Sequence, residues 1–439
     1  LSAVLNPPRL TLIPLIGFTF LTSATYSVAR ALGVSLFIAR MGSDALPVAL
    51  AASAVTVIAV SAITHLVNQR FPARYSVFGS WIGLGSITAW LTVMISVEHH
   101  SFVLLGALYV IAEVRGCVNT IYATTLVNNA FASSTSKRPF VLVAAGAPIA
   151  GIAMGAAMGF GASTLEDTTW LKIIIGLDAA TIVLLRWIPK TSAARATSEI
   201  EPHSQINSSK KADRNGIRSI RHIPASPSAF RYRYGLVSLI AFNVFAVTMV
   251  DYQWKVIAGD HLLAEAQLLT YFAGFYAIND ILIVLVQFTV ATKLLDRFGI
   301  GMPLCAYPLL LSVLGLIALI NQSQAVLILL FTLGQGLTVL KRSLYDPGMT
   351  SAYAILPQDI RNETILLIKG VVKPVIEAAV AIGLLFFASR MTSNQITSTW
   401  LAALIPWFLL SSWVSSTYEK WAPTQPGKEP TSELKLSEQ

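Results

Sequence analysis

The chain has 439 residues, of which 54% are hydrophobic and only 12% charged, with a mean hydropathy of +0.65. This excludes intrinsic disorder, which needs low hydrophobicity and high charge, and argues against an ordinary soluble enzyme, where about a quarter of residues are charged. The formal charge is +9, but 10 basic and 3 acidic residues between Arg186 and Arg233 supply +7 of it, so the remainder is nearly neutral and very apolar.

Apolar runs of about 20 residues match the hydrocarbon thickness of a bilayer. Six lie near 10–38, 46–67, 76–97, 101–129, 139–162 and 169–188, and six more near 234–258, 268–292, 301–320, 324–349, 364–388 and 396–416. The expected fold is an all-α membrane protein of twelve transmembrane helices. The expected organisation is a first six-helix half over 1–188, a basic linker over 189–233, a second half over 234–416 and a tail over 417–439 rich in Pro, Glu and Lys. The first run reads as a retained span rather than a cleaved signal.

A charge at the bilayer centre costs about 2.5–3.5 kcal/mol on insertion scales, so ionisable residues inside the runs are functional candidates. In chain order the first is Arg30, two-thirds along the first span in YSVARALGVSLF. It is suited to an anionic group, to snorkelling, or to pairing with an acid that locks the two halves. Glu113 and Arg115 lie mid-span in YVIAEVRGCVNTIY and, two residues apart, point to different helix faces. Arg115 and Asn119 share a face, and each charge needs a partner from another helix, a solute or water.

Gly151, Gly155 and Gly159 repeat at four-residue spacing in the fifth span, a pattern for close helix packing. In the seventh span Asp251 and Lys255 share a face in VDYQWKV and suit either an internal pair or a binding site. Asn279 and Asp280 interrupt the eighth span. Lys369, Lys373 and Glu377 recur every four residues in the eleventh span, with Pro374 breaking the ladder. That stripe is an anion-pathway candidate, or Lys373 and Glu377 neutralise each other.

Cys117 and Cys305 are too few for a disulfide framework, and the six histidines show no metal-ligand spacing, so no metal, cofactor or redox chemistry is expected. No nucleophile–base motif and no phosphate-binding loop occurs, so an enzyme is not expected. The basic excess lies in a Ser-rich linker, so nucleic acid is not an expected partner. Loop Lys and Arg place both termini and the linker on the cytoplasmic side of a bacterial inner membrane or an organelle inner membrane.

Six spans, a central cytoplasmic loop and six more spans resemble the major-facilitator architecture, in which two halves rock about a central site. The loops NQRFPARY (68–75) and KLLDRFG (293–299) occupy corresponding places in the two halves, and the second resembles the facilitator loop that pairs an acid with basic residues.

Several segments also resemble the ATP/ADP translocase family in its broader bacterial branch. YVIAEVRGCV (109–118) and LVNNAF (126–131) are similar to its fourth span, VDYQWK (250–255) to the start of its seventh, and KRSLYDPGMTSAYAILPQD (341–359) to its tenth-span stretch. SLFIARMGSDALP (35–47) and SKRPFVLVAAGAPIAGI (136–152) extend the likeness. The resemblance implies nucleotide antiport, with Glu113, Asp251, Lys255, Lys341, Asp346 and Pro347 on family positions. The chain departs where the family has Lys-Glu, here Met349–Thr350. Leu32 stands at its first-span lysine and Glu377 at its eleventh-span lysine.

The function expected is a secondary transporter of a nucleotide-like or other organic anion, in contact with membrane lipid. The alternative is a non-transporting subunit of transporter fold, acting as scaffold for partners in a membrane complex.

Overall fold

In hydrocarbon every backbone N–H and C=O must be bonded within the chain, and long helices achieve this. The computed structural model describes residues 9–71, 73–98, 100–131, 142–187, 227–262, 264–291, 293–294, 297, 299–321 and 323–421. Among them are twelve helices long and apolar enough to cross a bilayer. In the first half these are α1 (Leu12–Met41), α2 (Ser43–Asn68), α3 (Tyr75–Val97), α4 (Phe102–Val127), α5 (Leu142–Gly161) and α6 (Asp167–Leu185). In the second they are α7 (Ser228–His261), α8 (Glu265–Val290), α9 (Gly301–Ile320), α10 (Gln324–Ala354), α11 (Glu363–Arg390) and α12 (Ser393–Trp421).

Two expected boundaries move. The helix containing α7 starts at Pro227, so residues 227–233 are helical rather than linker, and Arg233 donates to Glu363 of α11 at 3.0 and 3.1 Å. A long Arg stem can carry its charge past the hydrocarbon while the helix continues beneath it. Likewise α12 runs to Trp421, so the expected tail loses residues 417–421. The rest of the linker and tail, most of the basic charge included, lies outside the described residues, as does Asp296 of the second basic loop.

Large apolar side chains cover the outside, among them Phe160, Ile320 and Val97, as befits a surface solvated by acyl chains. Inside, aromatic rings fix each half. Trp81 packs on Phe18 and Tyr122, joining α1, α3 and α4. Tyr307, Tyr345 and Trp407 form an edge-to-face trio joining α9, α10 and α12. Hydroxyls of Thr92 and Thr181 bond carbonyls one turn back, which satisfies them without a second helix.

The halves meet along α5 against α8, α2 against α11, and α1 against α8. The glycine repeat explains the first contact. A Cβ on Gly155 would lie 2.6 Å from Ala277 Cβ and 2.8 Å from the Ala273 carbonyl oxygen, and one on Gly151 would meet the Asp280 carboxylate. Gly159 faces open space.

α10 and α11 each contain a π-helical turn, Lys341–Tyr345 and Ile368–Val372. The turn in α11 ends just before Pro374, which has no N–H to give to the preceding turn. Such turns rotate the face that follows them and often mark functional positions.

Gly155→Leu should lower the unfolding midpoint by an amount corresponding to about 1–3 kcal/mol of overpacking, whereas Gly159→Leu should leave it unchanged. Thermal unfolding in detergent, followed by tryptophan fluorescence, distinguishes the two.

Candidate functional site

The two charges of YVIAEVRGCV have opposite fates. Arg115 is 2% exposed and turns inside the first half. It donates from Nη1 and Nη2 to the two Asp178 oxygens of α6 at 2.9 and 2.7 Å, and from Nη2 to Thr88 Oγ1 of α3 at 2.6 Å. Asp178 stands alone in the apolar run of α6, a signal that marks it as a buried charge needing a partner. Arg115 thus acts as a strut joining α3, α4 and α6. Asn119 does not face it; Asn119 accepts from Thr22 Oγ1 at 2.6 Å and donates to Ser23 Oγ at 3.2 Å, tying α4 to α1.

Glu113, on the other face of α4, has no hydrogen bond or ion pair among the described residues. It is nevertheless in a crowded field. Arg30, Lys255 and Glu377, from α1, α7 and α11, all lie within its electrostatic reach.

Arg30 reaches from α1 to the second half. Its guanidinium carbon lies 4.3 Å from the ring centre of Tyr276 on α8 and 5.9 Å from that of Tyr26 on α1. Stacking on tyrosine faces stabilises the cation but leaves its donors unused. Among the described residues no carboxylate comes within ion-pair distance of it, and Nε and the Tyr276 hydroxyl are both buried with no hydrogen-bond partner. Gly116 makes room for this arrangement, since a Cβ there would lie 2.6 Å from the Tyr26 ring.

Several other cations of the spans have a carboxylate close by. Lys255, 1% exposed, pairs with Asp251 at 2.7 Å and donates to the Tyr109 hydroxyl of the first half at 3.1 Å. Gln335 of α10 donates to the remaining Asp251 oxygen at 2.8 Å. VDYQWK divides its faces. Asp251 and Lys255 look toward the other half, Gln253 donates to Ser393 and Thr397 of α12, and Trp254 stacks against Phe272 and Phe275 of α8. Lys341 donates to both Asp346 oxygens at 3.0 and 3.2 Å, and Arg342 lies 3.7 Å from Asp280. Asn279 and Asp280, the polar residues in the apolar run of α8, lie within regular helix.

The stripe expected on α11 is broken. Lys373 approaches Glu377 at 3.8 Å, whereas Lys369, inside the π turn and exposed, makes no ion pair or hydrogen bond among the described residues. The sequence reading passed over Tyr26, Tyr276 and Asp178. A lone mid-span carboxylate could have revealed Asp178, whereas the tyrosines carry no charge to draw notice.

On the side opposite the linker the halves are latched. Arg40, at the end of α1, donates to Glu265 at the start of α8 at 3.0 Å and also pairs with Asp167 at the start of α6. Gly42, with a φ of 83° open to glycine, turns the chain so that Ser43 donates to Asp260 of α7 at 2.6 Å.

Removing one partner of a buried ion pair costs about 3–5 kcal/mol, so Arg115→Leu should destabilise strongly, while Arg115→Leu with Asp178→Leu should recover most of the loss. Unfolding midpoints of the two variants test this. Arg40→Ala should lengthen the distance between spin labels at Val97 and Asn394, measured by electron–electron resonance with the native cysteines replaced; an unchanged distance would show that the latch does not hold this face shut.

No protein-family model and no curated protein matches the sequence. Solved structures do. A nucleoside transporter, NupG, aligns with a TM-score of 0.62 at 12% identity, covering 94% of this chain and 99% of its own. A peptide transporter, POT, in complex with sulfate aligns at 0.64 and 12% identity, covering 96% and 98%. The human organic anion transporter MFSD10 aligns at 0.57 and 16%, covering 92% and 100%. At these identities the likeness concerns the fold. The chain is an integral membrane protein with a major-facilitator-like fold, twelve transmembrane helices in two six-helix halves.

Proposed function

We propose that this protein is a secondary transporter that moves a small organic anion, in the class that includes nucleotides, by alternating access. The observation that carries the reading is Arg30. Its guanidinium lies where the two halves meet, stacked between a tyrosine of each, with a buried donor and no ion pair among the described residues. An uncompensated cation in a membrane interior is costly and is retained where a ligand supplies the counter-charge.

The latch of Arg40, Asp167 and Glu265 supports one end state, closed on the side opposite the linker. An alternate state requires these contacts to part while the site opens to the other side, as rocking of the halves would do. The basic linker and loops favour an orientation with both termini in the cytoplasm, in a bacterial inner membrane or an organelle inner membrane. The two six-helix halves, joined through the linker, are the bodies that rock. The resemblance to ATP/ADP translocases fits Glu113 and the Asp251–Lys255 pair at the interior. It fits less well at Leu32, Met349 and Thr350, where family charges are absent.

Purified protein in liposomes should take up or exchange labelled organic anions, and Arg30→Gln should reduce the rate by about tenfold or more, as loss of one charge-assisted contact of about 1.4 kcal/mol implies. Folded protein that moves none of a panel of nucleotides, nucleosides and carboxylates would defeat the reading.

A further inference from the structure

Helices α1 and α8 come from opposite halves and meet through polar side chains at two heights. On the side opposite the linker Arg40, at the end of α1, donates to Glu265, at the start of α8, at 3.0 Å. About three helical turns further in along both helices, Arg30 meets Tyr276, its guanidinium carbon 4.3 Å from the ring centre. The outer contact is a completed ion pair. The inner one is incomplete, because stacking uses no hydrogen bond. Arg30 Nε and the Tyr276 hydroxyl are both buried and, among the described residues, bond neither each other nor anything else. A buried donor without an acceptor is strongly disfavoured. Neighbouring rings nevertheless hold both groups in place. Trp254 of α7 packs edge-on against the Tyr276 ring at 6.2 Å, and Tyr26, admitted by Gly116, backs the guanidinium at 5.9 Å.

We infer that the substrate's anionic group is an oxyanion that bridges Arg30 of the first half and Tyr276 of the second, and that this bridge is linked to the Arg40–Glu265 latch through α1 and α8. The inference rests on the transporter reading and deepens it, by naming the second residue of the site and what its occupation does. A guanidinium N–H and a phenol hydroxyl both donate, so a carboxylate or phosphate accepts from both, whereas the corresponding amide or alcohol brings no charge to Arg30. Two oxygens of one such group, each about 2.8 Å from its donor, span donors that are too far apart to bond each other. Both donors are enclosed here, so the anion reaches them while the halves are parted and is shut in when they meet. The bridge and the latch tie the same two helices. Each therefore lowers the cost of making the other: the bound anion favours the closed latch, and the closed latch tightens the anion.

The test uses full-length protein in detergent and in liposomes, with labelled monocarboxylates, dicarboxylates and phosphate monoesters, each beside its neutral amide or alcohol. At least one anion should stabilise the protein thermally and be taken up, with its neutral counterpart weaker by about tenfold or more, and the head group that responds separates carboxylate from phosphate. Tyr276→Phe keeps the ring on the guanidinium and removes only the donor. It should weaken that anion by about tenfold and leave both the neutral counterpart and the unfolding midpoint of the free protein unchanged. A purely structural role for Tyr276 would instead lower that midpoint and weaken both molecules alike. Arg40→Ala, which touches neither donor, should weaken the anion as well, because the closed state that binds it is less populated. In that variant the anion should bring spin labels at Val97 and Asn394 back toward each other, and with Tyr276→Phe added it should not. An anion bound by Tyr276→Phe as tightly as by the parent, or labels that ignore the anion in Arg40→Ala, overturns the linked bridge and leaves transport through Arg30 standing. Folded protein that responds to none of these anions, or that moves one equally well as Arg30→Gln, overturns both.

Discussion

A charge in hydrocarbon has no water to solvate it, so it must find a partner or face a polar space. That constraint organises the interior of this protein. Arg115 and Asp178 meet it by closing on each other within the first half. Lys255 meets it with Asp251 and at the same time reaches Tyr109 across the midline. Arg40 meets it with two carboxylates at one membrane face. Arg30 makes no ion pair among the described residues and stacks on Tyr276 of the other half, and the functional reading grows from it.

The same pairs divide rigid from movable parts. The Arg115–Asp178 strut lies wholly within the first half and the aromatic trio of Tyr307, Tyr345 and Trp407 wholly within the second. Contacts between halves are of another kind. They use glycine faces, as at Gly155 on α8, and a few polar latches that can part without breaking either core. Small residues allow close approach without interdigitated side chains, so the surface can separate at modest cost.

The likeness to nucleoside, peptide and organic anion transporters is confined to backbone arrangement at 12–16% identity. The chemistry of the site is therefore a matter for this chain's own side chains. Tyr26 and Tyr276 illustrate the point, since they shape the Arg30 environment as much as any charged neighbour does. Gly116, beside Arg115 in sequence, serves the opposite face by admitting the Tyr26 ring.

Much of the fold was legible in the sequence because bilayer thickness imposes a run length and because each intramembrane charge stands out against an apolar background. Twelve spans and the glycine contact follow from those signals, and helical spacing put Asp251 and Lys255 on one face. The helix ends did not, since α7 and α12 extend beyond the hydrocarbon on amphipathic residues that read as linker and tail. Nor did the partners. Helical spacing tells which residues share a face, not which helix that face meets, so Arg115 looked like a candidate for the centre until Asp178 claimed it. On α11 Lys373 and Glu377 approach each other while Lys369 has no ion pair among the described residues, which spacing alone did not tell. The sequence by itself determined that this is a membrane protein with a few costly interior charges. Only the tertiary structure decided which of them cancel, because cancellation depends on distances between helices that no run of residues encodes locally.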